Sequence, residues 1–580
     1  MKPNTQNLES LISALGGKSR YQITIHMLTA YTYIILVFNH VIMAFHGTPV
    51  QHICTLGTGV NQDNSTLHVD NSTLHLDNST TVHYLGRKQH YISFSQCSAI
   101  LVRLDGQNET VECSYGQWTY YPVYGESNIV SQFDLVCGRK YLASLANTIY
   151  FVGVMVGGLL FGDLADRFGR LPTMLFTLYS SIILGIVTAF SATYAMFVTL
   201  RFITGILMQG LQTSAYTLIM ELYIAKYRPF AGAVTECFFG AAIMILAIVA
   251  YLVRDWRYLQ IVVTLPGLFT LFYPWVVPES LRWLIIKGKL DKAETVVHKI
   301  CKINKISFPA ESWEKLKESS AESTHSSHPR QYNLVDLFRT PHIRRSSIIL
   351  FYIMFAISAS YYGLTFQMTS FPGSRYLVFF IGGAVETLAY ILTLPVMKRF
   401  GRKKPLLACF VAAGAFCLAA GIISDYTKGF FMVTTALALA GRCAVAGLFG
   451  IIFVYTSEVY PTVIRNIGMG ACCLWARAGG VAAPQINQWT KDLWDVDASI
   501  IFGVMALVAG IVLFPLPETH NRKLPDSLEE AEERSTDEEA ARANGELASP
   551  SEVSITEERA DLLQNGGQIK FTDIVKNHDV

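Results

Sequence analysis

The sequence predicts an all-α polytopic membrane protein of twelve transmembrane helices in two six-helix halves. Three observations carry that expectation. Of 580 residues, 51% are hydrophobic and 16% charged, against about 25% charged in an ordinary soluble domain, and the mean hydropathy is +0.33. Apolar runs of the roughly 20 residues that a helix needs to cross the hydrocarbon layer form two sets of six, separated by a polar stretch. The polar sequences that follow matched runs in the two sets are alike and keep the same order, as in parallel structural repeats.

The first set lies near 23–45, 142–162, 172–191, 194–220, 230–252 and 258–277. The second lies near 345–366, 375–396, 405–424, 429–456, 466–486 and 498–516. The chain divides accordingly into an N-terminal segment (1–22), a first half (23–277) that includes a long loop (46–140), a central loop (278–344), a second half (345–517) and a tail (518–580). The tail is rich in Glu, Asp, Ser and Ala with few large apolar groups, the composition of disorder. The first twenty residues are polar and the first run is too long for a signal core, so no cleaved signal is expected.

Charge orients the chain. Asp166-Arg167-Phe168-Gly169-Arg170, Lys226–Arg228, the Lys-rich central loop and Lys398–Lys404 fall on one side, which the positive-inside rule makes the cytosol. Both termini are then cytoplasmic and loop 46–140 is extracellular. That loop carries N-x-S/T sequons at Asn64, Asn71, Asn78 and Asn108, and four cysteines, Cys54, Cys97, Cys113 and Cys137. Glycans and disulfides both belong to the external face. Four cysteines allow three pairings, and spacing does not choose among them. The repeat D-N-S-T-L-H-V-D-N-S-T-L-H-L-D-N-S-T reads as a solvated glycan carrier. The other seven cysteines give no C-x-x-C pair or zinc-like spacing, so no metal is expected. A net charge of +2 gives no reason to expect nucleic acid, and without a Walker-type loop ATP drive is not expected.

Gly162-Asp163-Leu164-Ala165-Asp166-Arg167-Phe168-Gly169-Arg170 follows the second span, and Lys398-Arg399-Phe400-Gly401-Arg402-Lys403 follows the eighth. Glu221 and Arg228 close the fourth span with the spacing of Glu458 and Arg465 at the end of the tenth. Pro278-Glu279-Ser280 and Pro517-Glu518-Thr519 end the sixth and twelfth. The first of these strings resembles the cytoplasmic loop motif of the major facilitator superfamily. The resemblance implies that Asp166, Arg167 and Arg170, with Glu221, Arg228, Glu458, Arg465 and Glu279 or Glu518 as partner charges, latch helix ends across the two halves and act as gates.

Further strings narrow the resemblance. Gly47-Thr48-Pro49 with His52 and Cys54, Phe133-Asp134-Leu135-Val136-Cys137, Tyr251-Leu252-Val253-Arg254-Asp255-Trp256-Arg257, Pro278 to Leu284, and Tyr455 to Thr462 with Arg465-Asn466 are similar to the organic cation/anion/carnitine transporter family, solute carrier family 22. The similarity runs from about residue 20 to 520. Phe133 stands where that family usually has Trp, and Leu281 where it commonly has Pro.

Five charges sit inside predicted spans: Arg201, Glu236, Glu386, Arg442 and Arg477. A charge at bilayer depth costs about 2.5–3.5 kcal/mol on insertion scales and marks a pathway or a pair. Arg201 and Arg442 divide between structural pairing and coupling. Glu236, near the cytosolic end of the fifth span, reads as structural. Glu386 resembles an acid of cation and carnitine members, Arg477 an arginine of anion and carnitine members. Together they suit a zwitterion, Glu386 for an ammonium and Arg477 for a carboxylate. The competing reading is that they neutralise each other. Tyr361 and Tyr362, in a Tyr-Tyr-Gly-Leu string typical of the anion branch, are candidates to hold a cation over ring faces.

The pattern as a whole resembles the carnitine members most nearly. It implies a secondary or facilitative transporter of small organic ions in the plasma membrane, with carnitine or a similar zwitterion first, organic cations second and organic anions third. No cofactor is implied, and coupling to Na+ or H+ is left open. An enzyme is not expected, since no Ser, His and Asp constellation lies at bilayer depth. A non-transporting polytopic receptor is the reading from another class, and the matched gate motifs speak against it.

Overall fold

The computed structural model describes residues 5–54, 113–322, 333–371, 373–426 and 431–520, short strand segments and Cys97 between 68 and 112, and positions 528, 530 and 532. Among the described residues, ten helices are long and apolar enough to cross a membrane: Arg20–His46, Cys137–Phe168, Arg170–Ala189, Tyr194–Leu222, Ala225–Leu252, Trp256–Val276, Pro341–Gln367, Arg375–Phe400, Lys403–Ser424 and Met432–Val459. The last two of the twelve expected segments are also helical. Arg465–Trp494 is long but carries Arg465, Arg477 and Lys491, and Ala498–Val512 is apolar but 15 residues long. These twelve helices are numbered below as the first to twelfth spans.

Within the first half, the second and third spans pack on the fourth, and the first on the fourth and fifth. Within the second, the seventh packs on the eleventh and the ninth on the tenth and twelfth. The halves meet through two matched contacts, the second span against the eleventh and the fifth against the eighth. The first and seventh spans are each 83% buried over their most apolar window, against 39–50% for the other eight that qualify as membrane spans. Protein therefore surrounds these two, while the others present a face to lipid.

Small residues set the closeness of these contacts. A Cβ on Gly153 or Gly157 of the second span would run into the carbonyls of Phe202 or Ile206 on the fourth, and one on Gly205 into the carbonyl of Tyr150. Lipid tails are as apolar as side chains, so helices in a bilayer gain most from such close packing.

The segments outside the membrane hold more structure than the sequence suggested. In the long loop, strand Gln51–Cys54 pairs antiparallel with Trp118–Tyr121, and an antiparallel sheet runs through segments between His68 and Glu112. The disulfides join Cys54 to Cys113 and Cys97 to Cys137. Asn64, Asn71 and Asn78 lie outside the described residues, and Asn108 opens a strand. Asn128 caps a short helix and donates to the Thr48 carbonyl at 2.7 Å. Phe133 buries against Phe197 and Trp256, the outer ends of the fourth and sixth spans. Arg375–Glu126 at 3.0 Å and Lys140–Asp492 at 3.1 Å join the halves on this side.

The expected N-terminal segment and central loop contain helices. Thr5–Ala14 packs on Ala310–Glu322, and Leu281–Ile286 leads into Leu290–Asn304. Leu8, Leu11, Ile12 and Leu15 are buried at helical spacing, as are Val297, Ile300 and Cys301. Part of the tail is structured as well. Leu528 is buried in the core and Glu532 accepts from the His342 amide at 3.2 Å, so the disorder expected of the tail does not describe these two positions.

The glycine contact gives a test. Replacing Gly153 with Leu should lower the thermal midpoint and the surface level of the protein, since overpacking a tight contact costs about 1–3 kcal/mol or more. The same replacement at Gly162, where an added Cβ meets nothing within 4 Å, should be tolerated. Equal loss at both positions would show that the close approach is not what matters.

Candidate functional site

Each of the two loop motifs is built around a position that only glycine suits. Gly169 has φ +118° and Gly401 has φ +82°, in the region that L side chains avoid. A Cβ on Gly169 would collide with the Glu279 carboxylate, and one on Gly401 would stand 2.9 Å from Glu518 Oε2. The glycine turns the chain so that the next span starts with its amides on that acid. Arg170 and Leu171 N–H donate to Glu279 at 3.1 and 3.2 Å, and Arg402 and Lys403 N–H donate to Glu518 at 3.0 and 3.1 Å. A carboxylate there meets both free amides and the positive end of the helix dipole. Burial pushes the Glu279 carboxyl up, and the amides of Ser280, Leu171 and Arg170 act against that rise.

The arginine after each glycine completes a clamp. Arg170 meets Glu221 at 3.2 Å and Asp166 at 2.7 Å. Arg402 meets Glu458 at 2.9 Å and also contacts His520, while Thr519 donates to Glu458 at 2.6 Å. Two expectations are corrected. The latch was expected to bridge the halves, yet each of these clamps lies inside its own half, because its acids come from that half's own helix ends. Arg228 and Arg465 were expected among the partner charges of the latch. Instead Arg228 faces Glu9 of the N-terminal helix at 3.9 Å, and Arg465 donates to the Tyr460 carbonyl at 3.4 Å. Arg167 is exposed. Arg402 and His520 were missed as clamp members, although superposing the two motifs would have found Arg402 opposite Arg170, while Glu279 and Glu518 were expected as partner charges and are.

The mid-membrane charges sort differently from the expected pairing. Glu386 is fully buried and its ion-pair partner is Arg442, at 2.5 Å. Its other oxygen accepts from Tyr361 Oη at 2.6 Å and Tyr390 Oη at 2.9 Å. Arg442 also donates to Thr365 and lies over the Tyr361 ring at 4.8 Å. Neither zwitterion recognition by a free Glu386 nor a neutral Glu386–Arg477 pair describes this arrangement. The eighth and tenth spans pack together, and that contact delivers Arg442, not Arg477, to the acid.

Arg477 is left facing a cavity. Its guanidinium donates to Gln212 Oε1 at 2.7 Å and forms no ion pair among the described residues. The cavity, about 60 Å³ and open on one side, is lined by Glu236, Phe239, Tyr361, Tyr362, Phe449 and Arg477 among others. Glu236, expected to be structural, is thus a cavity residue. Tyr362 packs edge-on against Phe151 of the other half at 4.5 Å and stacks on Phe366 at 6.4 Å. Phe366 also lines a larger and more open cavity on the outer side, with Asn147, Asn487 and Lys491. The three rings therefore stand between the inner cavity and the outer one. Arg201 is buried, donates to the Asn39 carbonyl at 3.1 Å and lies over the Tyr150 ring at 4.1 Å.

Two six-helix halves, matched clamps at one end of the bundle and a charged cavity sealed by rings at mid-membrane define a membrane transporter of the major facilitator fold. The family described as "Sugar (and other) transporter" matches residues 81–531. An organic cation transporter protein of Drosophila melanogaster is 35% identical over 73% of this chain and 77% of its own. Solute carrier family 22 member 16 of Xenopus laevis is 32% identical over 91% and 95%, and human member 13 is 36% identical over 73% and 75%. Among solved structures, the xylose transporter XylE from E. coli, partially occluded and inward open, aligns with TM-score 0.58 at 18% identity, over 87% of this chain and 100% of that one. That likeness speaks to the fold. The chain belongs to the sugar (and other) transporter family and, within it, to solute carrier family 22. It is a multi-pass transporter and not an enzyme.

Removing Glu386 alone should be costly. Glu386→Gln strands a buried guanidinium, and breaking one side of a buried pair costs about 3–5 kcal/mol. The thermal midpoint of the detergent-solubilised protein should fall, and the double variant E386Q/R442L should recover most of the loss. A double variant as unstable as the sum of the two singles would show that the pair is not coupled.

Proposed function

We propose that this transporter carries small organic ions that bear a carboxylate across the plasma membrane by alternating access, with both termini in the cytosol. L-Carnitine or a related zwitterion is the first substrate candidate. The observation that carries the reading is Arg477. It is a half-buried guanidinium facing the mid-membrane cavity, with a neutral amide as its hydrogen-bond partner and no ion pair among the described residues. A guanidinium binds a carboxylate through two parallel hydrogen bonds, and at this depth a ligand that matches its charge lowers the cost of keeping it there. The names of the relatives, organic cation transporters and family 22 members, support a small organic ion as cargo.

The rings around Phe151 and Tyr362 seal the cavity on the outer side, and the clamps hold each half as a unit. Rocking of one half against the other about the second–eleventh and fifth–eighth contacts would expose the cavity to each side in turn. A second reading, an organic anion carrier, is favoured by the same neutralisation of Glu386 by Arg442, since that acid no longer repels an anion.

The test is uptake into proteoliposomes normalised to inserted protein. Arg477→Gln should weaken carboxylate-bearing probes by about ten- to a hundredfold in affinity, the worth of one charge-assisted contact. Arg477→Asp should weaken them further and favour tetraethylammonium. Unchanged uptake of carboxylates in both variants would overturn the assignment.

A further inference from the structure

We infer that Glu236 is the second charged ligand of the cavity, reading an alkylated ammonium, so that the substrate is an ammonium–carboxylate zwitterion whose two ends are held by opposite halves of the protein. The inference rests on the carboxylate reading of Arg477 given above.

Its first support is placement. The fifth and eighth spans approach closely where Gly240 faces Gly383 and Thr387. A Cβ on Gly240 would run into Thr387 Oγ1, and one on Gly383 would stand 3.0 Å from the Gly240 carbonyl. Glu236 lies one turn further toward the cytosol on the fifth span and lines the same cavity as Arg477 of the eleventh. The two opposite charges of the cavity thus come from the two halves.

The second support is the lack of a partner. Among the described residues Glu236 makes no hydrogen bond and no ion pair. Glu386, the other mid-membrane acid, has one oxygen on Arg442 and the other on two tyrosines. An unmatched carboxylate beside a cavity at this depth calls for a cation from outside the protein.

The third support is the character of the walls. Phe239, Tyr361, Tyr390 and Phe449 line the cavity with Glu236. Phe239 and Tyr361 stand edge to face at 6.2 Å, as do Tyr361 and Phe449 at 5.0 Å. The hydroxyls of Tyr361 and Tyr390 already donate to Glu386, so these residues offer a ligand mainly ring surface. A primary ammonium needs acceptors for its N–H groups. A quaternary ammonium needs ring faces and a nearby negative charge, and this wall supplies those.

The experiment uses three probes of matched skeleton: L-carnitine, 3-hydroxybutyrate, which lacks its ammonium, and choline, which lacks its carboxylate. Uptake by the full-length protein in proteoliposomes is normalised to correctly inserted protein. Wild type should prefer L-carnitine to both others. Glu236→Gln should narrow the preference for L-carnitine over 3-hydroxybutyrate by about ten- to a hundredfold, and Glu236→Asp should restore part of it. R477Q should depress L-carnitine and 3-hydroxybutyrate together, leaving their ratio closer to wild type. Equal loss of both carboxylates in E236Q would make Glu236 structural or part of ion coupling, and would overturn the inference. An unchanged ratio in E236Q, or a wild type that takes 3-hydroxybutyrate and not L-carnitine, would overturn it and leave the Arg477 reading standing. Insensitivity of both carboxylates to R477Q, or uptake of none of the probes, would overturn both.

Discussion

A charge held at bilayer depth has to be matched, and the arrangement of this protein's interior follows from how each one is. Glu386 is met by Arg442 and two tyrosine hydroxyls, so it is silent toward a ligand and ties the seventh, eighth and tenth spans together. Arg201 is met by a carbonyl and an aromatic ring inside the first half. Among the described residues Arg477 and Glu236 have no ion-pair partner, and they share a cavity. The division between structural and ligand-facing charge is therefore set by packing. The residues that a neighbouring helix satisfies become part of the frame, and those left over face the cavity.

The clamped ends of the two halves obey the same rule in a wetter setting. Each half repeats one device: a positive-φ glycine, a helix start whose amides hold an acid, and an arginine that gathers a second acid. Because each clamp closes within its half, it stiffens the half without joining it to the other. On the outer side the opposite holds, where Arg375–Glu126, Lys140–Asp492 and the Phe151–Tyr362 contact cross between halves. Rigid halves joined at the outer side and at mid-membrane are what a rocking mechanism needs in one of its end states.

The twelve spans were legible because length and hydropathy alone decide whether a helix can cross the bilayer. The helices at Thr5–Ala14 and Leu290–Asn304 and the strands of the outer loop were not. The helices bury only one face, as Leu8, Leu11, Ile12 and Leu15 do, so their average polarity resembles a loop. The mid-membrane charges were all found, but their pairing was misjudged. Arg442 and Arg477 are alike in sequence, both central in a span, and only the rotation of the tenth and eleventh helices decides which one reaches Glu386. Similarly, Glu221 takes Arg170 from a different span's end and not Arg228 near its own. Spacing along one helix says where a side chain starts, not which neighbour it meets.

Placing the two free charges on opposite halves has a consequence for the transport cycle. A ligand with one charge would satisfy one half and leave the other half's charge bare in a cavity that loses water as it closes, where an unmatched charge is most costly. A zwitterion satisfies both and in doing so links the fifth span to the eleventh, the two spans that complete the inter-half contacts with the eighth and second. The energy of binding both ends would then be available only when the halves stand at the right separation. Selectivity for charge and commitment to the conformational change would thus arise from one geometry, with Glu386 and Arg442 fixing the wall against which it is measured.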